Sequence, residues 1–166
     1  MSSPKDDESI ARERAGNLFQ EAYRAQMGGD LERAVQLYKE SIALWPTSEA
    51  HTFLGWTYSM QGLVDDAIAE CEKAIEIDPE FGNPWNDIGA YYIQKNEHDR
   101  AIEYLERAKK AERYEARAFP YCNLARVWMH KGMMRKALEE LEEAIRIDPS
   151  YKLARRLHEK VKYELN

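Results

Sequence analysis

Apolar and small residues recur every three or four positions in four stretches of this chain, and charged residues fill the positions between them. The four stretches are LERAVQLYKESIALWP, VDDAIAECEKAIEIDP, DRAIEYLERAKKAERY and MRKALEELEEAIRIDP. Such spacing is typical of helices with one buried side. A further helical stretch precedes each of them: LFQEAYRAQMGG, HTFLGWTYSMQG, PWNDIGAYYIQKN and YCNLARVWMHKG. The pattern therefore predicts four helical hairpins.

The predicted hairpins recur with a slightly irregular period. Equivalent alanines are separated by 33, 34 and 36 residues: Ala34, Ala67, Ala101 and Ala137. A period of this length indicates a solenoid of stacked hairpins rather than one mixed core. Residues that favour helix termination are found where the first helix of each hairpin must stop: Gly29, Gly62, Asn96 and Gly132.

The repeated residues resemble the tetratricopeptide repeat (TPR) family. The family's order of Leu-Gly, Tyr, Ala, Ala and Pro is almost complete in the second repeat, at Leu54, Gly55, Tyr58, Ala67, Ala74 and Pro79. The third repeat matches at Trp85, Ile88, Gly89, Tyr92, Ala101 and Ala108, and the fourth at Tyr121, Leu124, Ala125, Trp128, Ala137, Ala144 and Pro149. The first repeat is weaker, with Leu18, Ala22, Ala25, Ala34, Tyr38 and Pro46. The resemblance implies an all-α, right-handed superhelical solenoid of four TPR-like hairpins with a C-terminal capping helix.

The repeats divide the chain into six segments. We expect a polar N-terminal extension at 1–14, TPR-like repeats at 15–47, 48–81, 82–117 and 118–150, and a capping helix at 151–166. Residues 1 to 8 are expected to be disordered, and the segment from Ser9 onward is expected to extend the first helix. The third repeat departs from the family pattern, because Arg113 stands in place of its proline and the turn from Arg113 to Ala118 is extended.

Two glycines inside predicted helices indicate close packing. A glycine in a helix interior costs about 1 kcal/mol relative to alanine. We therefore expect Gly55 and Gly89 to lie where a neighbouring helix leaves no room for a side chain, with Ala22 and Ala125 in the same place in the other repeats. Close antiparallel packing within each hairpin follows.

The net charge of −6 is distributed unevenly. Residues 1–81 contain 16 acidic and 7 basic residues, a net charge of −9, whereas residues 82–166 contain 14 acidic and 17 basic residues, a net charge of +3. No apolar run reaches the roughly 20 residues of a membrane span, and the N-terminus lacks an apolar signal core. With Cys71 and Cys122 expected to stay reduced, the sequence indicates a cytoplasmic protein without membrane contact.

Catalytic and metal-binding constellations are not apparent in the sequence. The four histidines are far apart, the two cysteines are not paired, and a phosphate-binding glycine loop is lacking. We therefore expect no enzymatic activity, no cofactor and no metal. The last helix is basic, but Leu153, Leu157, Val161 and Leu165 recur every four residues. That spacing favours a cap over the end of the repeats and argues against nucleic acid binding.

The first helices of the hairpins carry more apolar residues than one packing stripe requires. In the TPR family these helices line the concave inner face, where residues beside the core stripe contact the partner. The resemblance assigns to this face Phe19, Tyr23, Met27, Thr52, Trp56, Met60, Asn83, Asn86, Ala90, Ile93, Phe119, Cys122, Arg126 and Met129. Aromatic and methionine side chains favour a peptide-binding groove. The alternative is that neighbouring repeats or the N-terminal extension bury these residues.

The resemblance implies a non-enzymatic scaffold or adaptor that binds a peptide or helix of a protein partner through apolar anchors. Some family members hold the acidic tail of heat-shock chaperones with a clamp of cationic and amide side chains. The matching positions here lack the expected cations: Phe19, Tyr23, Phe53, Asn83 and Asp87. An acidic-tail partner is therefore not expected. Two other functions stay open, a chaperone for apolar segments of a client protein and a self-assembling module.

Overall fold

The computed structural model describes residues 4–166 of the chain, and in this range nine α-helices follow one another. They are α1 (Pro4–Met27), α2 (Leu31–Leu44), α3 (Ser48–Met60), α4 (Val64–Ile77), α5 (Gly82–Gln94), α6 (His98–Lys110), α7 (Ala118–His130), α8 (Met134–Ile147) and α9 (Lys152–Leu165). The predicted all-α fold of helical hairpins is confirmed. None of the helices in residues 4–166 has the length and apolarity needed to cross a membrane.

The helices form two compact units, one ending at Pro79 and the other beginning at Glu80. In the first unit, α1 packs on α2 and α3 packs on α4, while α2 also contacts α3. In the second unit, α5 packs on α6 and α7 on α8, and α6 contacts α7. Each unit therefore contains two hairpins, and the second unit also contains α9.

Helix α1 begins earlier than the sequence predicted. Disorder was expected for residues 1 to 8, but α1 starts at Pro4, and residues 1–3 lie outside the described range. Proline is favoured in the first turn of a helix because its missing N–H has no partner to lose there. Asp6 and Asp7 follow in the same turn, where carboxylates interact favourably with the helix dipole. Once the packed part of α1 has formed, extension into a polar segment is inexpensive.

The four predicted helix stops are confirmed by the backbone. The residues at these positions have positive φ angles: Gly29 (84°), Gly62 (80°), Asn96 (60°) and Gly132 (71°). At Gly62 the turn is closed by the N–H of Leu63, which donates to the carbonyl oxygen of Tyr58 at 2.9 Å. Asn96 makes the corresponding turn because asparagine tolerates the left-handed region better than most side chains. Each first helix thus reverses directly into its partner.

Gly55 and Gly89 lie at close contacts between paired helices, as predicted. A Cβ atom at Gly55 would lie 2.9 Å from the backbone oxygen of Ala67 on α4. At Gly89, a Cβ atom would lie 2.5 Å from Cγ of Leu105 on α6. A larger residue at Gly55 would therefore force the two helices apart, and one at Gly89 would displace the buried side chain of Leu105.

The irregular turn of the third repeat is held by backbone hydrogen bonds. The N–H of Arg113 donates to the carbonyl oxygen of Glu80 at 2.9 Å, and the N–H of Gly82 donates to the carbonyl oxygen of Arg113 at 3.0 Å. The guanidinium carbon of Arg113 lies 4.4 Å from the ring centroid of Phe81. Since proline has no N–H to donate, a proline at position 113 would lose the bond to Glu80. This explains why the family's proline is replaced here.

The last helix covers part of the fourth hairpin. Ala154 and Val161 of α9 are fully buried in a cluster with Leu141 and Ala144 of α8, and Leu157 packs against the same cluster. The basic residues of α9 are exposed: Lys152, Arg155, Arg156, Lys160 and Lys162. Helix α9 is therefore amphipathic, with its apolar side on the hairpin, as predicted for a cap. Leu165, the last residue of the predicted apolar stripe, is 43% exposed, because it lies at the end of the helix beyond the packed cluster.

Candidate protein-binding faces

In the first unit, four large apolar side chains in the C-terminal halves of α1 and α3 are exposed. Tyr23 and Met27 of α1 are 38% and 48% exposed, and Trp56 and Met60 of α3 are 39% and 46% exposed. Within each pair the residues are four apart, which places them on the same side of the helix. These residues, with Phe19 and Phe53, are called the first-unit face below.

Phe53 holds the aromatic residues of the first-unit face together. Its ring centroid lies 5.2 Å from that of Phe19, 5.8 Å from Tyr23 and 5.7 Å from Trp56, each time in an edge-on arrangement. Such pairs are favourable beyond the area that they bury. Phe53 was not among the residues that the sequence assigned to the inner face. The sequence indicated a role for it only because position 53 matches a position of the family's carboxylate clamp. The structure makes Phe53 the centre of the aromatic cluster.

Beneath this face lies a buried polar contact. The Tyr38 hydroxyl donates to Gln26 Oε1 at 2.7 Å, and Gln26 Nε2 lies 3.6 Å from the sulfur of Met60. Burial raises the pKa of Tyr38 far above its ordinary value, with a smaller contribution from Tyr23. The Tyr38 hydroxyl therefore stays protonated as a donor and fixes Gln26 under Met60.

Thr52 and Cys122 do not offer their side chains to a partner, contrary to the sequence assignment. Thr52 is 2% exposed, and its hydroxyl donates to the carbonyl oxygen of Ser48 at 2.7 Å. Cys122 is fully buried in the cluster that contains Leu141. Burial raises the pKa of its thiol, although a hydrogen bond with Tyr151 acts in the opposite direction. Both side chains serve packing within their own unit.

The corresponding face of the second unit is more polar. Asn123 Nδ2 of α7 donates to Asn86 Oδ1 of α5 at 3.0 Å, and Arg126 Nη1 donates to Asn123 Oδ1 at 3.2 Å. Arg126 is exposed, while Asn86 is only 5% exposed. This chain of hydrogen bonds joins α5 to α7 and presents one guanidinium. The sequence missed Asn123, which lies beside the assigned Cys122.

The other assigned residues of the second unit differ in exposure. Phe119 is 43% exposed, and its ring centroid lies 5.1 Å from that of Tyr151. Asn83, Ala90 and Met129 are partly buried, and Ile93 is buried at 9% exposure. We call Asn83, Asn86, Ala90, Phe119, Asn123, Arg126 and Met129 the second-unit face. The groove predicted along all four repeats stays a prediction, because each face belongs to its own unit.

A carboxyl group with an unusual pKa lies on α5 next to the second-unit face. Burial raises the pKa of Asp87 from 3.8 to about 7, and a hydrogen bond with Asn86 offsets only part of this effect. The negative charge of Asp87 in turn adds to the burial that raises the pKa of Tyr114. The charge at this position therefore changes near neutral pH.

The raised pKa predicts a pH-dependent stability. A carboxyl group whose pKa is higher in the folded than in the unfolded chain contributes stability below the unfolded value, and that contribution is lost as the pH rises through the folded value. Compared with an Asp87→Asn variant, the natural chain should lose about 2–3 kcal/mol of unfolding free energy as the pH rises from about 5 to 8. Urea unfolding at several pH values measures this. Parallel curves for the two proteins would show that Asp87 does not titrate in this range.

In the first unit, three polar side chains of α3 and α4 form a hydrogen-bonded cluster. His51 Nδ1 lies 2.7 Å from Glu70 Oε2, and Lys73 Nζ donates to Glu70 Oε1 at 2.7 Å. Burial raises the pKa of Glu70, but the hydrogen bonds from His51 and Lys73 outweigh it and lower the pKa overall. Among residues 4–166 there is no group of three or more metal-ligating side chains. The hydrogen bond between His51 and Glu70 thus joins α3 to α4, and Lys73 pairs with Glu70 within α4.

Comparison with known families identifies the repeats. Three family models, each described as tetratricopeptide repeat, match residues 19–80, 70–103 and 120–151. Together they cover more than half of the chain. The chain belongs to the tetratricopeptide repeat family. The helical hairpins and the close contacts at Gly55 and Gly89 are thus those of a TPR protein.

Curated relatives of this TPR protein are much longer. It is 31% identical to the Protein SGT1 homolog of Oryza sativa subsp. japonica over 98 residues. The aligned region covers 58% of this chain and 27% of that protein. It is 26% identical over 107 residues to the Small glutamine-rich tetratricopeptide repeat-containing protein 2 of Mycosarcoma maydis, covering 64% of this chain and 30% of that protein. The chain therefore spans less than a third of either relative.

Solved structures share the fold. MamA has a TM-score of 0.72 at 26% identity over 86% of this chain and 83% of its own. PilF of Pseudomonas aeruginosa has a TM-score of 0.85 at 19% identity over 95% of this chain and 70% of its own. The first TPR of Spaghetti (RPAP3), bound to the HSP90 peptide SRMEEVD, has a TM-score of 0.66 at 18% identity over 72% of this chain and 93% of its own. At 18% and 19% identity the likeness shows the fold alone.

Proposed function

We propose that this TPR protein is a non-enzymatic interaction scaffold whose first-unit face binds a peptide or helix of a protein partner through apolar anchors. One observation carries the proposal: Tyr23, Met27, Trp56 and Met60 are all exposed by more than a third on two helices of the same unit. Tyr23 and Trp56 are joined through Phe53, and exposed apolar clusters mark interaction sites. The proposed location is the cytoplasm, which suits the free thiols of the two buried cysteines.

The geometry of the first-unit face suits binding of an apolar segment. Phe53 supports Tyr23 and Trp56 by edge contacts, so these rings lose little conformational freedom when a partner covers them. Met27 and Met60 have flexible, polarisable side chains that adapt to different apolar surfaces. The face thus combines fixed aromatic anchors with adaptable neighbours, and anchors of this type contribute most of the binding energy at interfaces.

The second-unit face is proposed as a separate binding surface of more polar character. Arg126 presents a guanidinium that Asn123 orients, and Phe119 adds an exposed ring. Asn83 offers a partly buried amide, which both donates and accepts hydrogen bonds. A segment bound here would pair its backbone or a carboxylate with these groups.

An acidic tail with two carboxylates is not the proposed partner. RPAP3 binds an HSP90 peptide, but its likeness to this chain extends to the fold only. The positions that match the family's carboxylate clamp hold Phe19, Tyr23, Phe53, Asn83 and Asp87. Burial raises the pKa of Asp87 to about 7. Above that pH its side chain is negatively charged and would repel a carboxylate. The clamp positions are therefore chemically unsuited to such a tail.

Two alternatives use the same face. A chaperone would use it to shield apolar segments of a client protein, and a self-assembling module would use it to receive a second copy of the chain. The charge difference between residues 1–81 (−9) and residues 82–166 (+3) would favour head-to-tail contacts between copies. Sedimentation at several protein concentrations separates self-assembly from partner binding.

Substituting Trp56→Glu tests the proposed function. Peptides selected from a random library on the natural chain should bind the variant at least tenfold more weakly, because a charged side chain replaces a central anchor. The helical content should stay unchanged, since Trp56 is 39% exposed. Titration calorimetry and circular dichroism measure the two effects.

The matched control is Tyr163→Glu. Tyr163 is an 84% exposed aromatic residue of α9, outside both faces, and its substitution should leave peptide affinity unchanged. Equal affinity of the Trp56 variant and the natural chain would refute the proposed face. Unfolding of the Trp56 variant would instead make Trp56 a core residue, as in the alternative that the sequence left open.

A further inference from the structure

A cavity of about 420 Å³ lies in the first unit where α1, the end of α2 and the start of α3 meet. Phe19 and Trp45 supply aromatic walls, and Ser41 and Thr47 supply hydroxyl groups. The Ser41 hydroxyl already donates to the carbonyl oxygen of Ala15 at 2.8 Å, and Thr47 Oγ1 accepts from the N–H of Ala50 at 3.1 Å. The hydroxyls are therefore engaged within the protein, and the space beside the rings is largely apolar. Its volume is in the range of binding pockets for small groups.

Gly16 also lines the cavity and adds no side chain to it. A Cβ atom at Gly16 would meet nothing within 4 Å, although this residue lies inside α1. Packing does not require a glycine here, in contrast to Gly55, and glycine is unfavourable in a helix interior. Gly16 therefore leaves a gap in the part of the cavity wall that it shares with Phe19 and Trp45.

The fourth repeat shows what this position can hold. Gly16 and Phe119 are 103 residues apart, which is also the separation of Ala22 from Ala125 and of Pro46 from Pro149. Phe119 is therefore the equivalent of Gly16 in the repeat. Its ring packs near Tyr151, with 5.1 Å between the centroids. The repeat thus accepts an aromatic ring at this position, and the first repeat leaves the position empty.

The guanidinium of Arg12 lies beside Trp45, which lines the cavity. The guanidinium carbon of Arg12 lies 4.7 Å from the ring centroid of Trp45, and among residues 4–166 this side chain has no ion pair. Glu49 also lines the cavity, but it already takes part in another interaction. An arginine stacked on an aromatic face keeps its N–H groups free for a planar carboxylate.

We propose that this cavity binds the aromatic side chain of a partner peptide, with a carboxylate next to that side chain pairing with Arg12. The ring would lie over Gly16 between Phe19 and Trp45, as Phe119 lies near Tyr151 in the fourth repeat. Charge complementarity with Arg12 selects an acidic group on the partner. The site goes beyond the proposed function, because it shares only Phe19 with the first-unit face and does not depend on Trp56.

The probe for this site is N-acetylphenylalanine, which joins an aromatic ring to a carboxylate. In ¹H–¹⁵N spectra, a millimolar titration should shift the Gly16 amide and the Trp45 indole resonances until they saturate. N-acetylphenylalanine amide should bind about threefold more weakly, the size expected for the loss of one exposed ion pair. N-acetylleucine, which lacks the ring, should bind more weakly than N-acetylphenylalanine. The Arg12→Gln variant should bind the acid and the amide equally.

The decisive variants are Gly16→Phe and Gly16→Ala. Phenylalanine should fill the cavity and weaken probe binding at least tenfold, whereas alanine removes the glycine but leaves most of the space and should bind as the natural chain does. Circular dichroism should show both variants folded, since a Cβ atom at position 16 meets nothing within 4 Å and the cavity offers space for the ring. The Trp56→Glu variant should bind the probe normally, so failure of the proposed function leaves this test intact. Absence of shifts at Gly16 and Trp45, or unchanged binding by a folded Gly16→Phe variant, would overturn the proposal.

Discussion

Removal of residues 151–166 is expected to lower the melting temperature by about 10 °C or more and to cause the shortened chain to associate. Helix α9 buries Ala154 and Val161 completely and packs Leu153 and Leu157 against the fourth hairpin. Burial of one valine or leucine side chain stabilises a protein by about 1.5–3 kcal/mol. In a chain of this size, each loss of about 1 kcal/mol in the free energy of unfolding lowers the melting temperature by about 2–4 °C. The combined loss is therefore large.

Association is expected because the deletion uncovers apolar side chains of the fourth hairpin. Leu141 and Ala144, which are fully buried in the natural chain, contact the cluster that α9 completes. Terminal repeats without a polar outer surface tend to aggregate. Thermal melts with light scattering measure both effects. Deletion of residues 163–166 is the matched control, since it leaves Val161 in place and should change neither measurement. An unchanged melt of a monomeric 1–150 fragment would show that α9 does not act as a cap.

The second large effect is expected at Gly55. A Gly55→Ala substitution should destabilise the chain by about 1–3 kcal/mol, the usual cost of overpacking. The added methyl group would lie 2.9 Å from the Ala67 backbone oxygen and 3.1 Å from the sulfur of Cys71. Backbone atoms cannot move away by a simple rotation, so α3 and α4 must separate. This cost exceeds the gain of about 1 kcal/mol that alanine brings to a helix.

Gly16→Ala is the matched control for this substitution. It makes the same chemical change inside a helix, but its methyl group would meet nothing within 4 Å. The variant should be more stable than the natural chain by up to about 1 kcal/mol. Urea unfolding of both variants measures the difference. Changes of the same sign and size would show that helix propensity, and not the contact with α4, determines the stability at Gly55.

Much of the fold could be predicted because local constraints determine which residue types are possible. A left-handed backbone at the end of a first helix selects glycine or asparagine, and the structure places these residues at the expected positions, such as Gly62 and Asn96. A contact without room for a side chain selects glycine within a helix, as at Gly89. Such constraints act on single residues, so they appear directly in the sequence.

The candidate faces were less predictable because burial depends on neighbouring helices. Thr52 and Trp56 are four residues apart on one helix, yet one is 2% and the other 39% exposed. Helical periodicity places both on the same side but does not give the distance to the next helix. The same limit applies to Cys122, and to Phe53, whose ring contacts involve residues of α1.

The pairing of Arg113 with Glu80 and Gly82 joins the two ends of the third hairpin and makes a closed loop of the chain between them. Opening of this loop requires that the hydrogen bonds donated by Gly82 and Arg113 break together with the packing of Tyr114 over Gly82. The exchange of these two amide protons with solvent deuterium therefore reports on the opening of one hairpin. In a repeat protein, the repeats contact chiefly their neighbours and can open separately. The exchange rates of these two amides therefore measure how often the third repeat opens.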